Sequence, residues 1–563
     1  MNLSSLLPPI TLAVFFLALP TAAPAQWSTS PNVNNAICVT ANQQQAPRVV
    51  SDGNGGAIIT WWDLNPTTSD YNIYAQRINA AGVVQWTVNG IAMCANPALQ
   101  HVPEITSDGN GGAIIAWQDN RSGNADIYAQ RVNGSGAVQW AVDGVPVCAA
   151  TRDQTFPQLT TDGGGGAVIV WQDLRGGTNY VPYAQKLNAA GAAQWTVDGV
   201  LLSATGSAET PQIVGDGSGG AIVAWHQYTS GEFDVYAQHV TAGGVLEWGS
   251  SGVVVCALAG NQFRPQMAGD GAGGAVIVWE DYRNVFYSNL YAQRVGAGGV
   301  VQWAVNGVAV APSTLGQIRQ KLLSDGSGGV FVAWQYGNNL VYAQRVSSNG
   351  APLWAADGVS IGAAGDSRYP DMATDGASGA IVTWYDYRGS GNGDIFAQRI
   401  TPAGTVLWVT DGVGVCRNPA GQVFPRLVAG GDGSSIIAWD DSRSSSTGST
   451  DIYAQRINAG GTLGGATGVG EGGQAPVSFS LGQNYPNPFN PSTTIRYGVP
   501  QSSHVSLVIY NSLGQKIAVL VQSEQAAGDH AVRFEASGFP SGVYYYVLKA
   551  GEYVETRRML LVR

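Results

Sequence analysis

An internal repeat of about 54 residues constrains this chain more than any other feature of its sequence. An apolar segment that ends in tryptophan occurs eight times, and successive tryptophans lie 50 to 56 residues apart. These residues are Trp61, Trp117, Trp171, Trp225, Trp279, Trp334, Trp384 and Trp439. Periods of this length are typical of repeat architectures, in which each copy forms one supersecondary unit. The length of the chain therefore does not indicate how many domains it has.

Two further motifs keep the same period. Tyr-Ala-Gln-Arg or a close variant begins at Tyr74, Tyr128, Tyr183, Tyr236, Tyr291, Tyr342, Phe396 and Tyr453. A second tryptophan, usually preceded by glutamine, occurs at Trp27, Trp86, Trp140, Trp195, Trp248, Trp303, Trp354 and Trp408. Each copy has four short β-type segments separated by Gly- and Asn-rich turns, and helical spacing is absent. The pattern predicts an all-β fold, an eight-bladed β-propeller over residues 26–461.

The two ends of the repeat region complement each other. The N-terminal end begins with the fourth-strand motif at Trp27, whereas the last copy contains Tyr453 but no following tryptophan. We therefore expect the N-terminal segment to pair with the Tyr453 strand, closing the ring without an exposed strand edge. An open solenoid is the alternative, and it would need atypical polar caps at both ends.

Residues 1–25 have the pattern of a secretory signal peptide. The apolar run from Ile10 to Leu19 is too short to span a bilayer, and the small-x-small sequence Ala23-Pro24-Ala25 follows it. No later segment approaches the ~18 apolar residues of a membrane helix, so we expect no transmembrane segment. The formal net charge of -11 disfavours nucleic acid as a partner. We expect a secreted or outer-surface protein.

The residue order within one copy is informative about the blade. In the second copy this order is Pro103, Asp108, Trp117, Asp119, Arg121, Asp126 and Tyr128. It resembles the repeats of TolB-type β-propellers over the first three strands. The resemblance supports the fold and the strand order but implies no activity.

A second domain is predicted after the repeats. Residues 462–476 are Gly-rich and lack an apolar period, which indicates a flexible linker. In residues 477–563, short segments of alternating apolar and polar residues are separated by turns, which predicts a small β-sandwich. The tail contains Tyr485, Pro486, Asn487, Pro488 and Phe489, then Gly542 and Tyr544, and finally Arg558. These motifs resemble the type A C-terminal sorting domain of type IX secretion cargo, whose fold is similar to the immunoglobulin-like domain of FlgD hook-capping proteins. The resemblance implies the type IX secretion machinery as partner, often with tail removal and surface attachment.

The motifs examined for chemistry have structural interpretations. Cys38, Cys94, Cys148, Cys256 and Cys416 share one repeat position, so we expect buried thiols rather than disulfides. The turn that begins at Gly215 fits GxGxxG, but a strand follows where a dinucleotide site needs a helix. The histidines lack zinc spacing, and no GxSxG motif occurs. We therefore predict no cofactor, no metal site and no enzymatic activity, with weak calcium binding at the Asp-Gly turns left open.

The variable loops of the repeat suggest a recognition face. In a four-stranded up-and-down blade, the loops after the second and fourth strands emerge on the same side, and these loops vary most. The candidate ligand-binding residues on them are Phe263, Arg264, Tyr282, Arg283, Phe286, Tyr287, Arg368, Tyr369, Tyr387 and Arg388. The arginines that follow Trp-x-Asp also fit local ion pairs, and the recurrent arginine of Tyr-Ala-Gln-Arg favours a framework role.

These features predict a secreted or cell-surface recognition module that binds an extracellular protein or glycan. The rival is an extracellular glycosidase or polysaccharide lyase of the propeller type. Its acid and base would be non-repeating carboxylates, such as Glu232 or Glu280, that face one pocket. A purely structural surface-layer component is a third interpretation.

Overall fold

The computed structural model describes residues 27–464 and 479–562, apart from residues 65–68, 285, 338, 363–364, 389–390, 445–448, 485–486, 526–527 and 552. The predicted signal peptide, most of the predicted linker, and Tyr485 and Pro486 lie outside the described residues. Every regular element in the described ranges is a β-strand. The predicted all-β class is therefore confirmed.

Eight four-stranded antiparallel sheets occupy the described residues between 35 and 457, and we number them by their first strands. The first strands are β2 (Gln43–Ser51), β6 (Gln100–Ser107), β10 (Gln154–Thr161), β14 (Ser207–Gly215), β18 (Gln262–Gly269), β22 (Gln317–Ser324), β26 (Ser367–Thr374) and β30 (Gln422–Ala429). The second strands, each ending at or just after a repeated tryptophan, are β3 (Ala57–Leu64), β7 (Ala113–Asp119), β11 (Ala167–Asp173), β15 (Ala221–Thr229), β19 (Ala275–Asp281), β23 (Val330–Tyr336), β27 (Ala380–Asp386) and β31 (Ser435–Asp441).

The third and fourth strands of each sheet complete the description. The third strands are β4 (Tyr71–Ile78), β8 (Asp126–Val132), β12 (Val181–Leu187), β16 (Glu232–Val240), β20 (Asn289–Val295), β24 (Val341–Val346), β28 (Asp394–Ile400) and β32 (Asp451–Ile457). The fourth strands are β5 (Ile91–Cys94), β9 (Val145–Cys148), β13 (Val200–Leu201), β17 (Val253–Cys256), β21 (Val308–Ala309), β25 (Val359–Gly362), β29 (Val413–Cys416) and, in sheet eight, β1 (Asn35–Cys38).

Sheet eight combines strands from both ends of the repeat region. Strand β1 pairs antiparallel with β32, and Ala36 lies opposite Tyr453. Trp27 precedes this strand, and its indole Nε1 donates to the Ala80 carbonyl in sheet one at 2.9 Å. The N-terminal segment therefore contacts both the last and the first sheet.

The fourth strand is shorter than the sequence pattern predicts, because the Gln-Trp motif lies outside it. In sheet two, the buried Gln130 amide accepts from the Trp140 backbone N–H at 3.0 Å and donates to the Ala141 carbonyl at 2.7 Å. Backbone pairing continues as far as Gln139, whose N–H donates to the Arg131 carbonyl at 2.7 Å, and the side-chain bonds replace it from Trp140 onward. Asp143 and Gly144 then both adopt positive φ and turn the chain before β9 begins.

Neighbouring sheets pack face to face around repeated tryptophans. Each first strand contacts the first strand of the next sheet, and β30 contacts β2. Trp171 of sheet three packs against Ile127 and Cys148 of sheet two in one buried cluster. Trp61 of sheet one and Ala454 of sheet eight share another cluster. All eight tryptophans of the second strands are fully buried, which gives the repeats a propeller-like fold.

The arginine of the Tyr-Ala-Gln-Arg motif has a framework role. Arg131 pairs with Asp108 of the Asp-Gly turn at 2.9 Å, and Arg77 pairs with Asp52 at 2.8 Å. In sheet four a histidine, His239, takes the arginine position. Its Nε2 lies 2.9 Å from Asp216 Oδ2, and its Nδ1 lies 2.9 Å from Glu247 Oε2. Both ring nitrogens face carboxylates, so the hydrogen bond to Asp216 raises the pKa of His239.

We expect His239 to make stability depend on pH near neutrality. Because the pKa of His239 is higher in the folded than in the unfolded protein, its contribution is complete below about pH 6.5 and is lost as pH rises through the folded value. The arginine of the variant His239→Arg stays charged over the whole range. The free energy of unfolding of the variant, minus that of the wild type, should therefore be about 1 kcal/mol larger at pH 8.5 than at pH 5.5. Melting temperatures of both proteins over this range test the expectation, and parallel pH profiles would contradict it.

The tail folds around a separate core. One sheet contains β33 (Ser480–Leu481), β34 (Ser492–Val499) and β37 (Gly528–Glu535), and the other contains β36 (Lys516–Gln525), β35 (Ser503–Asn511), β38 (Gly542–Ala550) and β39 (Tyr553–Leu561). Side chains from both sheets share one apolar cluster. The two sheets thus enclose a single core, as in the predicted sandwich.

The described sorting motifs meet beside the last strand. Phe489 is buried, and its N–H donates to the Leu560 carbonyl at 2.9 Å. Asn487 Oδ1 accepts from the Leu560 N–H at 2.8 Å, next to Arg558 on the same strand. The buried Tyr544 of β38 donates its hydroxyl hydrogen to the Pro540 carbonyl at 2.7 Å. Motifs from both ends of the tail therefore form one local structure.

Candidate functional site

A strained position recurs in the first strand of every sheet. Each first strand has a β-bulge, where one non-glycine residue adopts a φ between 48° and 57°. These residues, which we call the bulge ring, are Ala46, Val102, Phe156, Thr210, Arg264, Arg319, Tyr369 and Phe424. Seven of the eight directly precede proline. A positive φ is unfavourable for a residue other than glycine, and a following proline restricts the residue to extended conformations, so these positions are strained. Such strain is concentrated at functional sites in proteins.

Buried polar side chains of the preceding sheet hold the bulges. The Arg319 backbone N–H donates to Glu280 Oε1 at 3.1 Å, and the Phe156 N–H donates to Gln118 Oε1 at 3.0 Å. In these two bonds, and in those made by the N–H groups of Ala46, Arg264 and Tyr369, the acceptor belongs to the residue that follows the second-strand tryptophan. Each such bond crosses from one sheet to the next, so the strained backbone is supported by packing of neighbouring sheets.

The residues two positions after the bulge meet in one channel. This channel ring consists of Arg48, Glu104, Gln158, Gln212, Gln266, Lys321, Asp371 and Arg426. All eight line a single cavity of about 330 Å³. The cavity therefore receives one polar side chain from every sheet.

A second cavity, the mouth cavity, adjoins the channel on the side of sheets five to eight. It has a volume of about 220 Å³, and its lining includes Arg264, Arg319, Tyr369, Phe424 and Glu280. Three channel residues of these sheets line both cavities: Gln266, Lys321 and Arg426. The mouth cavity and the channel therefore share one wall of polar side chains.

Aromatic rings flank the mouth cavity. Tyr369 stacks on Tyr385 with ring centroids 5.5 Å apart, and Phe424 meets Tyr369 edge-on at 5.0 Å. The guanidinium of Arg319 lies 3.7 Å from the centroid of the Tyr369 ring. These contacts fix Tyr369 between a cation and two rings, and Phe424 remains 40% exposed.

A second aromatic cluster lies next to Arg264. Phe263 packs against Phe233 at 5.1 Å and against Tyr282 at 5.7 Å between ring centroids. Because Phe263 immediately precedes the cavity residue Arg264, this cluster lies beside the part of the cavity that Arg264 lines.

The mouth cavity is electropositive although the chain is acidic. Arg264, Arg319, Lys321 and Arg426 line it, and Glu280 is its one acidic lining residue. Burial raises the pKa of Glu280, whose Oε2 accepts from Arg264 Nη1 at 3.2 Å. Burial and the nearby Arg426 lower the pKa of Lys321 to about 8. The positive charges therefore exceed the negative charges in the cavity, and an anionic group would relieve their repulsion.

Part of the predicted ligand-binding set lies at this site. Arg264 and Tyr369 line the mouth cavity, and Phe263 and Tyr282 belong to the adjacent aromatic cluster. Tyr387 packs edge-on against Tyr385 at 5.6 Å.

Arg368 lies beside the same aromatic group. Its guanidinium is 5.3 Å from the centroid of the Tyr387 ring, and its Nη2 pairs with Asp366 at 2.6 Å. These six residues therefore lie in or beside the mouth cavity. Four of them, Phe263, Arg264, Arg368 and Tyr369, belong to strands β18 and β26 and not to the predicted loops.

The other predicted residues have different surroundings. Arg283 pairs with Asp281 at 2.7 Å, and its guanidinium lies 3.5 Å from the centroid of the Tyr291 ring. Arg388 has the same arrangement with Asp386 and Phe396. The contacts match the local ion pairs that the sequence also suggested.

Tyr287 and Phe286 lie on the loop between β19 and β20. Tyr287 lines a separate cavity of about 670 Å³ together with Tyr291 and Tyr336. Phe286 is 94% exposed. Neither residue is among those that line the mouth cavity, so the structure does not bring them together with Tyr369.

The carboxylates of the enzymatic alternative are also separated. Glu280 lines the mouth cavity, whereas Glu232 Oε2 accepts from the Gly260 N–H at 3.0 Å and is not among the lining residues. Within the described ranges, no group of three or more His, Cys, Asp or Glu is placed to hold a metal ion. All five cysteines are free and buried.

Sequence analysis missed the cavity residues Arg319, Lys321, Phe424 and Arg426. A signal for them was present, because positions near the first-strand proline vary between copies whereas the neighbouring turn and tryptophan repeat. That variation becomes meaningful only once the equivalent positions are known to share a cavity.

Comparison with known proteins identifies the tail. Residues 483–562 match the family model described as secretion system C-terminal sorting domain. The sequence matches none of the curated proteins. Among the described residues, no helical segment could cross a lipid bilayer.

Several solved structures are similar to the chain at low identity. The BP39L lectin from Burkholderia pseudomallei has 10% identity and a TM-score of 0.46, covering 67% of this chain and 100% of the lectin. The β-propeller domain of the Trilobed protease from Pyrococcus furiosus has 12% identity and a TM-score of 0.37, with coverage of 63% and 92%. An ulvan lyase of polysaccharide lyase family PL25 has 10% identity and a TM-score of 0.42, with coverage of 76% and 96%.

The lyase among these structures corrects one expectation. The prediction that the protein is not an enzyme was wrong, because it was based on a search for catalytic motifs, and similar structures include an enzyme. In a repeat fold, catalytic carboxylates can occupy non-repeating positions that no local motif marks. Similarity at this level does not establish an enzymatic role for this chain.

The sorting-domain match covers the tail that carries the motif series from Asn487 to Arg558. Both observations agree with the predicted export route. The chain is thus a type IX secretion cargo with a propeller-like fold, a secreted or cell-surface protein.

Proposed function

We propose that this protein is a secreted recognition module whose closed eight-bladed β-propeller binds a glycan at the mouth cavity. In this proposal residues 1–25 direct export through the inner membrane, and residues 26–461 form the propeller. Residues 462–476 link it to the sorting domain of residues 477–563, which engages the type IX secretion machinery.

Contacts between the first and last sheets support ring closure. The N–H of Ala46 donates to Asp440 Oδ2 at 3.4 Å, and Arg456 Nη1 donates to the Ala80 carbonyl at 2.7 Å. The same two kinds of bond join sheets elsewhere, as with Phe156 and Arg131. The junction of sheets eight and one therefore resembles the other junctions.

The composition of the mouth cavity is the observation that carries the glycan proposal. A sugar ring has an apolar face that packs on aromatic rings and a rim of hydroxyls that needs hydrogen-bond partners. Tyr369 and Phe424 supply aromatic surface, and Arg264, Gln266 and Glu280 supply polar groups around one concave space. A volume of about 220 Å³ suits a small group such as one sugar unit, whereas a stable protein interface needs a much larger contact.

Glycan-array binding by the chain from residue 26 to residue 563 tests the proposal. Tyr369→Ala and Phe424→Ala should each weaken binding about tenfold or more, because each removes a ring from the cavity wall. Both variants keep a Cβ at the bulge, so the backbone strain is unchanged. Phe286→Ala removes a fully exposed ring outside the cavity and should bind like the wild type.

Binding that survives both cavity substitutions would contradict the assigned site. Failure of the wild type to bind any glycan on a broad array would contradict the glycan class itself.

The buried Glu280 favours one second candidate, a glycan-cleaving enzyme. A carboxyl whose pKa is raised by burial can act as a proton donor near neutral pH, and Glu280 lines the mouth cavity. This candidate predicts new chain ends when the wild type is incubated with a bound polysaccharide, and none with Glu280→Gln. Binding without cleavage would leave recognition as the function.

A further inference from the structure

We propose that the ligand of the mouth cavity is an acidic glycan, and that its carboxylate or sulfate is bound between Lys321 and Arg426. This inference rests on the proposed glycan-binding function and adds the chemical class of the ligand.

Lys321 and Arg426 are cations without partners in the described structure. Neither side chain makes an ion pair or a hydrogen bond with a described residue, and Arg426 Nε is a buried donor without an acceptor. Arg48, in the same channel ring, instead pairs with Glu104 at 2.8 Å. Buried charged donors are normally satisfied, and an unpaired one is costly. The unpaired Arg426 Nε, with the unpaired Lys321 beside it, therefore marks the part of the ring that is best suited to bind an anionic group.

The acidic side chains around the two cations form their described hydrogen bonds and ion pairs with other groups. Asp371 belongs to sheet seven, between the sheets of Lys321 and Arg426, and its Oδ2 accepts from the Leu427 N–H at 3.2 Å. It lies within ion-pair distance of neither cation among the described contacts. Glu280 accepts from Arg264 and from the Arg319 backbone. Asp371 and Glu104 therefore act on the charges of Lys321 and Arg426 only from beyond ion-pair distance, and no described carboxylate forms an ion pair with either cation.

Arg319 adds a third cation, which forms no ion pair with a carboxylate in the described part of the chain. Its Nη1 donates to Gln335 Oε1 at 3.0 Å while its guanidinium covers the ring of Tyr369. This contact places positive charge directly beside the aromatic wall. A ligand that packs on Tyr369 or Phe424 and extends toward Lys321 would meet cations along its whole length.

These features together favour an acidic sugar over other anions. The aromatic wall suits a sugar ring, and the unpaired cations suit a negatively charged substituent on that ring. Charge-assisted hydrogen bonds from lysine and arginine to carboxylate or sulfate are short and strong, so two such donors can select strongly for charge. An acidic peptide shares the charge but not the ring, and it is one outcome of the test.

The test compares polysaccharides that differ in charge on one backbone. One pair is polygalacturonate and its fully methyl-esterified form, and the other is sulfated carrageenan oligosaccharides and the same oligosaccharides after desulfation. Poly-glutamate serves as the acidic peptide probe. Binding of each probe to the chain from residue 26 to residue 563 is measured by calorimetry at fixed ionic strength. We expect at least one acidic member to bind about tenfold or more tightly than its neutral counterpart.

Charge-removing variants assign the preference to the two cations. Lys321→Gln and Arg426→Gln should each abolish the preference, so that the acidic and the neutral member of a pair bind with equal affinity. Arg417→Gln removes the same charge from an exposed position outside both cavities and should keep the wild-type preference. Carboxylate and sulfate are distinguished by which of the two pairs shows the preference.

The melting temperature separates loss of the site from loss of the fold. Because Lys321 and Arg426 repel each other and lack partners, either glutamine variant should melt at the same or a higher temperature than the wild type. A structural role would instead lower it.

Three results would overturn the inference. Equal binding of acidic and neutral members, with glutamine variants that bind normally, would remove the acidic class but leave glycan binding intact. Binding of poly-glutamate without binding of any polysaccharide would replace the glycan by an acidic peptide and overturn both proposals. Absence of all glycan binding on a broad array would overturn the proposed function first.

Discussion

A chain that lacks residues 26–39 should lose more than about 5 kcal/mol of the free energy of unfolding of its repeat region. The deletion removes the buried side chains of Trp27, Ile37 and Cys38 and leaves sheet eight with three strands. It also exposes the edge of β32, and unpaired strand edges promote association between chains. Urea unfolding followed by tryptophan fluorescence, together with light scattering, measures both effects.

A permuted chain provides the matched control. Residues 26–41 are moved so that Gln26 directly follows Leu463, and Gly464 follows residue 41. The junction then reads Gly-Thr-Leu-Gln-Trp, in register with Gly82 to Trp86 in sheet one, where the same isolated bridge occurs. The permuted chain should regain most of the lost stability, because β1 reaches β32 through an ordinary hairpin connection. Wild-type stability of the deleted chain would contradict the proposed closure.

Replacement of Asp119 by alanine should lower the free energy of unfolding by about 3–5 kcal/mol. The Asp119 carboxylate is fully buried and accepts from the Trp117 indole at 2.9 Å and from Arg121 Nη2 at 2.6 Å. Arg121 also donates to the Asp143 carbonyl and to Cys94 Sγ, so it stays in place when Asp119 is removed. The variant therefore leaves a largely buried guanidinium without its counter-ion. Urea denaturation of the variant and the wild type gives the difference.

Two comparisons distinguish the destabilisation caused by the unpaired arginine from that caused by the lost indole hydrogen bond. The double variant Asp119→Ala/Arg121→Met should recover part of the loss, because no unpaired charge remains. In sheet six, Tyr336 occupies the aspartate position, and the indole N–H of Trp334 is buried without a partner. That sheet tolerates an unbonded indole, so the indole bond alone cannot account for the expected effect. A double variant as unstable as the single one would contradict this explanation.

Repeated identity explains why much of the fold was predictable. The tryptophan of the second strand, the glutamine of Tyr-Ala-Gln-Arg and the aspartate of the turn occupy equivalent positions in nearly every copy. Each makes contacts within its own sheet or with the next one, so a pattern along the chain carries the information. The sorting tail was recognisable for a related reason, since its motifs lie in a short stretch and keep their order.

The length of the fourth strand was less predictable. The sequence around Trp140 alternates like a strand, but Gln130 bonds to its backbone and Asp143 turns the chain before Val145. A side chain from the third strand thus competes with strand pairing, and only the tertiary structure reveals that competition.

At the candidate site, the difference between what the sequence predicted and what the tertiary structure showed is larger. Loop position alone indicated Phe263, Arg264 and Tyr369, because variable loops of equivalent strands emerge on one side. The tertiary structure separated Arg283 and Arg388, which pair within their sheets, from Lys321 and Arg426, which have no ion-pair partner among the described residues. The physical reason is that a repeat pattern specifies each sheet through local contacts, whereas the channel joins residues that are far apart in the chain. Charge balance in that channel depends on side chains that come from eight different sheets, and no segment of the sequence contains that information.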